Sequence, residues 1–128
     1  MIPYDTARFE PPAPISQVTL RNPDTGSTIS DVTMLLDTGA DVSLIPRASL
    51  KSLNLSATQD RQYELISFDG TISLAPIVQL ELVFCNRTFK GQFLVIDRAL
   101  GILGRNVLNS VSLVFDGPNF KWYERRAG

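Results

Sequence analysis

Residues 34–46 hold the chain's most chemical stretch. Met34, Leu35 and Leu36 run into Asp37, Thr38 and Gly39, and Ala40, Asp41, Val42, Ser43, Leu44 and Ile45 lead on to Pro46. An apolar strand thus ends in a carboxylate flanked by a hydroxyl and a glycine. A carboxylate drawn toward an apolar interior must be paired, hydrogen-bonded or protonated, so Asp37 is the residue to explain. The chain has no histidine, which removes Ser-His and Cys-His nucleophilic catalysis and most catalytic zinc sites together. Carboxylate, lysine or hydroxyl chemistry remains. The single cysteine, Cys85, forms no intramolecular disulfide and builds no cysteine-cluster metal site; it reads as a small hydrophobe in a strand.

The elements that must position Asp37 are strands. The 128 residues are 44% hydrophobic with a net charge of −1, which fits one soluble domain with its own core and no global field drawing it to nucleic acid or a membrane surface. The N-terminus has no basic head followed by an apolar run, and no stretch is long enough to span a bilayer, so the expected location is the cytoplasm. Residues 1–14 contain four of the eight prolines and are expected to form an extended arm. That arm is either a disordered tail or a segment whose Ile2, Tyr4 and Phe9 pack on a partner. Residues 15–128 are expected to form the single domain.

Residues 15–21 alternate as a strand, and dense turn chemistry at residues 22–27 makes a β-hairpin with the strand beginning near Thr28. That turn holds a second acid-threonine-glycine triplet, Asp24, Thr25 and Gly26. Asp24 follows Asn22 and Pro23 in a polar turn, whereas Asp37 lies between two apolar strands. Asp24 is therefore read as turn-forming, and the 13-residue offset from Asp24 to Asp37 leaves no room for a second lobe. Strand residues 42–45 lead into a short helix over residues 46–53 with proline in its first turn. Residues 61–67 and 71–75 flank Phe68, Asp69 and Gly70, a strong hairpin signal. Residues 77–85 and 88–96 form a longer hairpin about Asn86 and Arg87, with Val78, Leu80, Leu82 and Phe84 on one face and Phe89, Phe93 and Val95 continuing the core. An apolar run punctuated by Gly101 and Gly104 precedes a short helix at 105–110, and a last hairpin joins residues 111–115 to 120–124.

The run Leu35, Leu36, Asp37, Thr38, Gly39, Ala40, Asp41, followed in the right order by Gly101, Ile102, Leu103, Gly104, Arg105, Asn106, resembles the retropepsins, the retroviral-type aspartic proteases that work as homodimers. The resemblance implies a mainly β fold: a closed, mostly antiparallel retropepsin-like barrel with one or two short helices, assembled as a homodimer. It implies a hydrolase acting on a protein or peptide substrate without metal or organic cofactor. A single carboxylate serves amide hydrolysis poorly, because one group must take a proton from water while another gives one to the carbonyl or leaving nitrogen. A two-fold axis beside Asp37 brings the same residue of a second copy alongside it, and two carboxylates that close share a proton.

The resemblance also assigns roles. Asp37 is the catalytic acid, Thr38 ties the two turns together across the axis, and Gly39 lets backbone approach partner and substrate without a Cβ. Ala40, Asp41, Leu44 and Ile102 are expected at the substrate, with apolar residues preferred around the cut, and Leu103 beneath the paired acids. Phe68, Asp69 and Gly70 occupy the position of the flap that covers bound peptide, the alternative being an ordinary surface hairpin. Asp41 and Arg105 are expected to form an ion pair bracing the catalytic turn. Ala40 in place of serine points to activity in mildly acidic solution. The competing function is a retropepsin-like dimerisation or peptide-binding domain with little turnover.

Overall fold

The computed structural model of the chain describes residues 1–67 and 69–126, the side chains of residues 58–61 and 63 excepted. Period-two alternation sets its strands. Strand β2 (Ile15–Arg21) follows the short β1 (Ile2–Pro3) and buries Ser16, Val18 and Leu20; β3 (Thr28–Leu36) buries Val32, Met34 and Leu36. After β4 (Leu44–Pro46) comes helix α1 (Arg47–Ser52), one residue later than expected, with Pro46 at its N-cap and not in its first turn. Leu50 and Leu53 pin it to the core, and the buried Asn22 donates through Nδ2 to the Leu53 carbonyl at 2.9 Å.

Strands β5 (Thr58–Ile66), β6 (Ile72–Phe84) and β7 (Arg87–Ile96) are followed by β8 (Gly101–Leu103) and helix α2 (Arg105–Leu108). Six strands close a barrel in the order β2, β3, β8, β4, β7, β6, with β6 returning to β2. Four of its pairings are antiparallel. The pairings of β3 with β8 and of β4 with β7 are parallel. Leu20, Met34, Ile45, Leu80, Leu82 and Leu103 are fully enclosed in its core, each burial contributing roughly 1.5–3 kcal/mol.

Strand β6 runs unbroken where the sequence reads two separate strands about Pro76. Residues 72–77 pair with β5 and residues 77–84 with β7, and Pro76 sits at the irregularity in the β5 register, where a residue without an N–H disturbs no regular ladder. The β6–β7 turn is centred on Cys85 and Asn86, one residue earlier than expected, both at positive φ (53° and 58°) as a tight two-residue hairpin turn requires. Cys85 thus occupies a turn next to the core instead of a strand.

The N-terminal arm is held by its own chain. Strand β1 pairs with β10 (Lys121–Glu124), which pairs in turn with β9 (Leu113–Asp116), giving a three-stranded sheet beside the barrel. The Tyr4 N–H donates to the Phe120 carbonyl at 2.8 Å, and Asp5 bridges to Ala13. Trp122 anchors the sheet: it is buried, lies 5.9 Å from Phe84 between ring centroids, and donates Nε1–H to the Ile15 carbonyl at 2.7 Å.

Candidate active site

Asp37 stands where β3 leaves the barrel. Its N–H donates to the Leu103 carbonyl at 3.0 Å, extending the parallel β3–β8 pairing by one bond, and the Leu36 N–H donates to the Pro14 carbonyl at 3.0 Å. The chain then turns sharply: the Ala40 N–H reaches the Asp37 carbonyl at 3.2 Å, and the Gly39 N–H reaches Asp37 Oδ1 at 2.9 Å. A Cβ on Gly39 would lie 3.0 Å from that same oxygen, so a side chain there would crowd the carboxylate. Asp37 is half-buried and Thr38 is exposed.

The second motif braces this turn from behind. The Arg105 guanidinium donates Nη1–H to the Thr38 carbonyl at 2.7 Å, and its backbone N–H donates to the Ala40 carbonyl at 2.8 Å. Ser43, fully buried, donates its hydroxyl to Asn106 Oδ1 at 2.7 Å and accepts the Gly104 N–H at 3.0 Å. Gly104 is packed so closely that a Cβ there would meet the Val42 carbonyl oxygen at 2.3 Å. The expected Asp41–Arg105 ion pair is not among those of the described residues, which join Arg8 to Asp5, Arg21 to Glu81, Arg47 to Asp97, and both Arg87 and Arg126 to Glu124. Arg105 braces the turn through its backbone instead, a charge-assisted bond to a carbonyl.

A cleft of about 360 Å³ opens beside the turn, with residues 39–42 and Leu44 on one side and Glu64, Leu65 and Ile66 of β5 on the other. Ala40, Asp41 and Leu44, expected at the substrate, thus line this cleft. Ile102 lies opposite Leu44 in register and packs with it in a small apolar cluster that includes Ala75 and Leu94, behind the cleft wall. Asp69 and Gly70 occupy the tip of the β5–β6 hairpin and do not line the cleft. Asp69 Oδ1 accepts the Thr71 N–H at 2.9 Å, and the Thr71 hydroxyl and N–H together hold the Asp69 carboxyl below its usual range. Phe68 lies outside the described residues. The second triplet is an exposed turn in which Asn22 Oδ1 accepts the Asp24 N–H at 3.0 Å.

Sequence reasoning assigned no site role to Val42, Ser43, Glu64, Leu65, Ile66 or Asn106. The alternation of β5 marks Leu65 as inward-facing, but its proximity to residues 39–42 is a long-range contact with no local signal. Among the described residues no three acidic, cysteine or histidine side chains are grouped to hold a metal ion, and no helix is long and apolar enough to cross a membrane.

A closed six-stranded barrel whose parallel β3–β8 pairing ends in a braced acid-threonine-glycine turn is a retropepsin-like fold. The retroviral aspartyl protease family matches residues 12–115, and the chain belongs to that family. Among solved structures it is similar to EIAV protease complexed with the inhibitor HBY-793, with 25% identity, a TM-score of 0.56, and coverage of 77% of this chain and 86% of that one. Comparison with curated proteins gives no match. The family and fold are those of aspartic proteases.

Proposed function

We propose that the protein is an aspartic endopeptidase in which Asp37 from each of two copies flanks one water molecule. Residues 15–128 form the protease domain, with residues 1–14 as its arm. The observation that carries this reading is the turn: Asp37 ends a core strand, is half-buried, and is fixed by backbone bonds to Leu103, Ala40 and Gly39. A carboxylate held this way is preorganised for proton transfer. With one proton shared between the pair, the ionised acid takes a proton from water as its oxygen attacks the peptide carbonyl, and the protonated acid donates to the carbonyl oxygen. Collapse of the tetrahedral intermediate returns a proton to the leaving nitrogen.

Exposed Thr38 is free to meet its counterpart across the axis. Ile66, Ile72 and Leu74 on the β5–β6 hairpin, and Phe115, Phe120 and Tyr123 at the terminal sheet, are large hydrophobics left exposed by the single chain, which supports assembly with a second copy. Apolar residues near the cut are part of this reading, carried by the retropepsin resemblance.

The test is cleavage of a diverse peptide library from acidic to neutral pH by the wild type and by Asp37→Asn. Removal of the acid–base group is expected to lower kcat by about 10²–10⁴-fold. Mixing equal amounts of the two proteins and allowing exchange is expected to reduce wild-type activity to about half, because random pairing leaves few dimers with both acids. Activity unchanged on mixing would mean that one chain is the whole catalyst.

A further inference from the structure

The cleft beside residues 39–42 follows an edge. Glu64, Leu65 and Ile66 are successive strand residues whose side chains alternate between faces, yet all three line it, so it runs along the side of β5. Among the described residues that strand is the last in its sheet and pairs with β6 alone. An open strand edge offers backbone donors and acceptors to an extended peptide. The cleft's lining combines apolar Val42, Leu44 and Leu65 with two carboxylates, Asp41 and Glu64, one on each side, and among the described residues it contains no lysine or arginine.

We propose, resting on the peptidase reading above, that this cleft selects a lysine or arginine side chain in the substrate. A long basic residue has the matching shape: an aliphatic stem that covers apolar surface and a cationic head that stays at the solvated rim. Val42, Leu44 and Leu65 take the stem, and Asp41 and Glu64 take the head from opposite walls. A glutamate at the same substrate position meets two like charges and is disfavoured. An uncharged norleucine keeps the stem contact and loses the ionic one. The apolar cut site and the basic selection are compatible, since they concern different substrate positions.

The experiment places lysine, norleucine or glutamate in turn at each position around the cut of one good substrate and measures kcat/KM for wild type, Glu64→Gln and Glu64→Lys. At one position the wild type prefers lysine to norleucine, and Glu64→Gln lowers that ratio between about twofold and fivefold, as an exposed ion pair allows. Glu64→Lys turns the preference at that position toward glutamate, and added salt weakens both preferences. The same peptides, fluorescently labelled, are titrated against Asp37→Asn by anisotropy, so binding is read without turnover. Cleavage with lysine, norleucine and glutamate ratios unaltered by either Glu64 substitution overturns the basic selection and leaves the peptidase reading intact. Lysine-selective binding without cleavage by the wild type supports the selection and overturns the peptidase reading. Absence of both binding and cleavage for every peptide overturns both.

Discussion

Gly104→Ala isolates the packing of the two motifs from everything else at the site. The residue has φ −95° and ψ −175°, ordinary extended backbone that alanine adopts freely, so the substitution carries no conformational penalty. Its new methyl group would lie 2.3 Å from the Val42 carbonyl oxygen, 2.6 Å from the Val42 carbonyl carbon and 2.9 Å from the Ala40 carbonyl oxygen. A carbon–oxygen contact normally settles near 3.3 Å or beyond, so the first overlap is about 1 Å. All three atoms are backbone, and no side-chain rotation relieves them. Either residues 40–42 move away from α2 or α2 tilts outward, and both routes strain the Arg105–Ala40 and Gly104–Ser43 bonds. Overpacking of this kind costs about 3 kcal/mol, the upper end for a core insertion. That is a large share of the roughly 5–15 kcal/mol that holds a domain together. For a chain of this length it lowers Tm by roughly 10–15 °C. The assay pairs a thermal melt with peptide cleavage at a temperature where the variant remains folded. Cleavage is expected to fall further than the residual folded fraction explains, because the displaced segment continues directly into Asp37. Gly117→Ala is the control, since a Cβ there meets nothing within 4 Å. A Gly104→Ala protein melting within about 2 °C of wild type and cleaving normally would refute the reasoning.

Ser43→Ala leaves the Gly104 N–H without its acceptor in a buried position, and a loss of about 1–3 kcal/mol is expected in chemical denaturation, with Ser43→Thr retaining most of the stability. Trp122→Phe removes the Nε1–H bond to Ile15 and should cost about 1–2 kcal/mol while raising amide exchange at Tyr4, whose N–H belongs to the same terminal sheet. Burial, with the Glu124 carboxylate adding to it, pushes the Cys85 thiol up to about 11, so alkylation by iodoacetamide at pH 8.5 should run roughly 100-fold slower than for a free cysteine. Hydrogen bonds from the Arg8 and Ala7 backbone, with the Arg8 guanidinium, hold the Asp5 carboxyl below its usual range. Its contribution is present above the ordinary carboxylate value and is lost only as pH falls through the lower folded one. The arm should therefore stay protected from exchange in mildly acidic buffer, whereas Asp5→Ala should expose it at any pH.

What the sequence makes legible is what local chemistry encodes. Val78, Leu80, Leu82 and Phe84 announce a strand because every second side chain is apolar, and all four are buried. Asp37 stands out because a carboxylate ends an apolar run, and Asp24 is set aside because its neighbours are polar. What stays hidden depends on pairings distant in sequence. Strand β8 has only three residues, Gly101–Leu103, too few for a period, and becomes a strand because β3 and β4 lie on either side of it. Pro76 argues against a continuous strand by local rules, yet β6 changes partner at that point and tolerates it. The arm's proline content predicts extension but not the strand that receives it. The motif puts Arg105 against the Asp37 turn, but its acceptor there is the Thr38 carbonyl and not Asp41, a choice of partner that a motif's spacing does not encode.

The turn's bonds bear on how two copies would make one site. The bonds that shape residues 37–40 join Asp37 to Leu103 and to Ala40, and Arg105 adds its N–H to the Ala40 carbonyl and its guanidinium to the Thr38 carbonyl. The terminal sheet likewise closes within one chain, through β1, β10 and β9. On the proposed reading a partner meets a turn already shaped by these bonds and supplies the second carboxylate and its proton. Preorganisation of this kind removes from the association step the cost of ordering the catalytic loop. It also separates two failures that are easily confused. A substitution that loosens the turn, such as Ser43→Ala, should lower turnover in dimers that still assemble, whereas one at the exposed hydrophobics, such as Phe115→Asp, should weaken assembly while each protomer keeps its melting temperature. Sedimentation velocity beside kinetics distinguishes them, and loss of protomer stability in Phe115→Asp would show that the terminal sheet belongs to the fold more than to the interface.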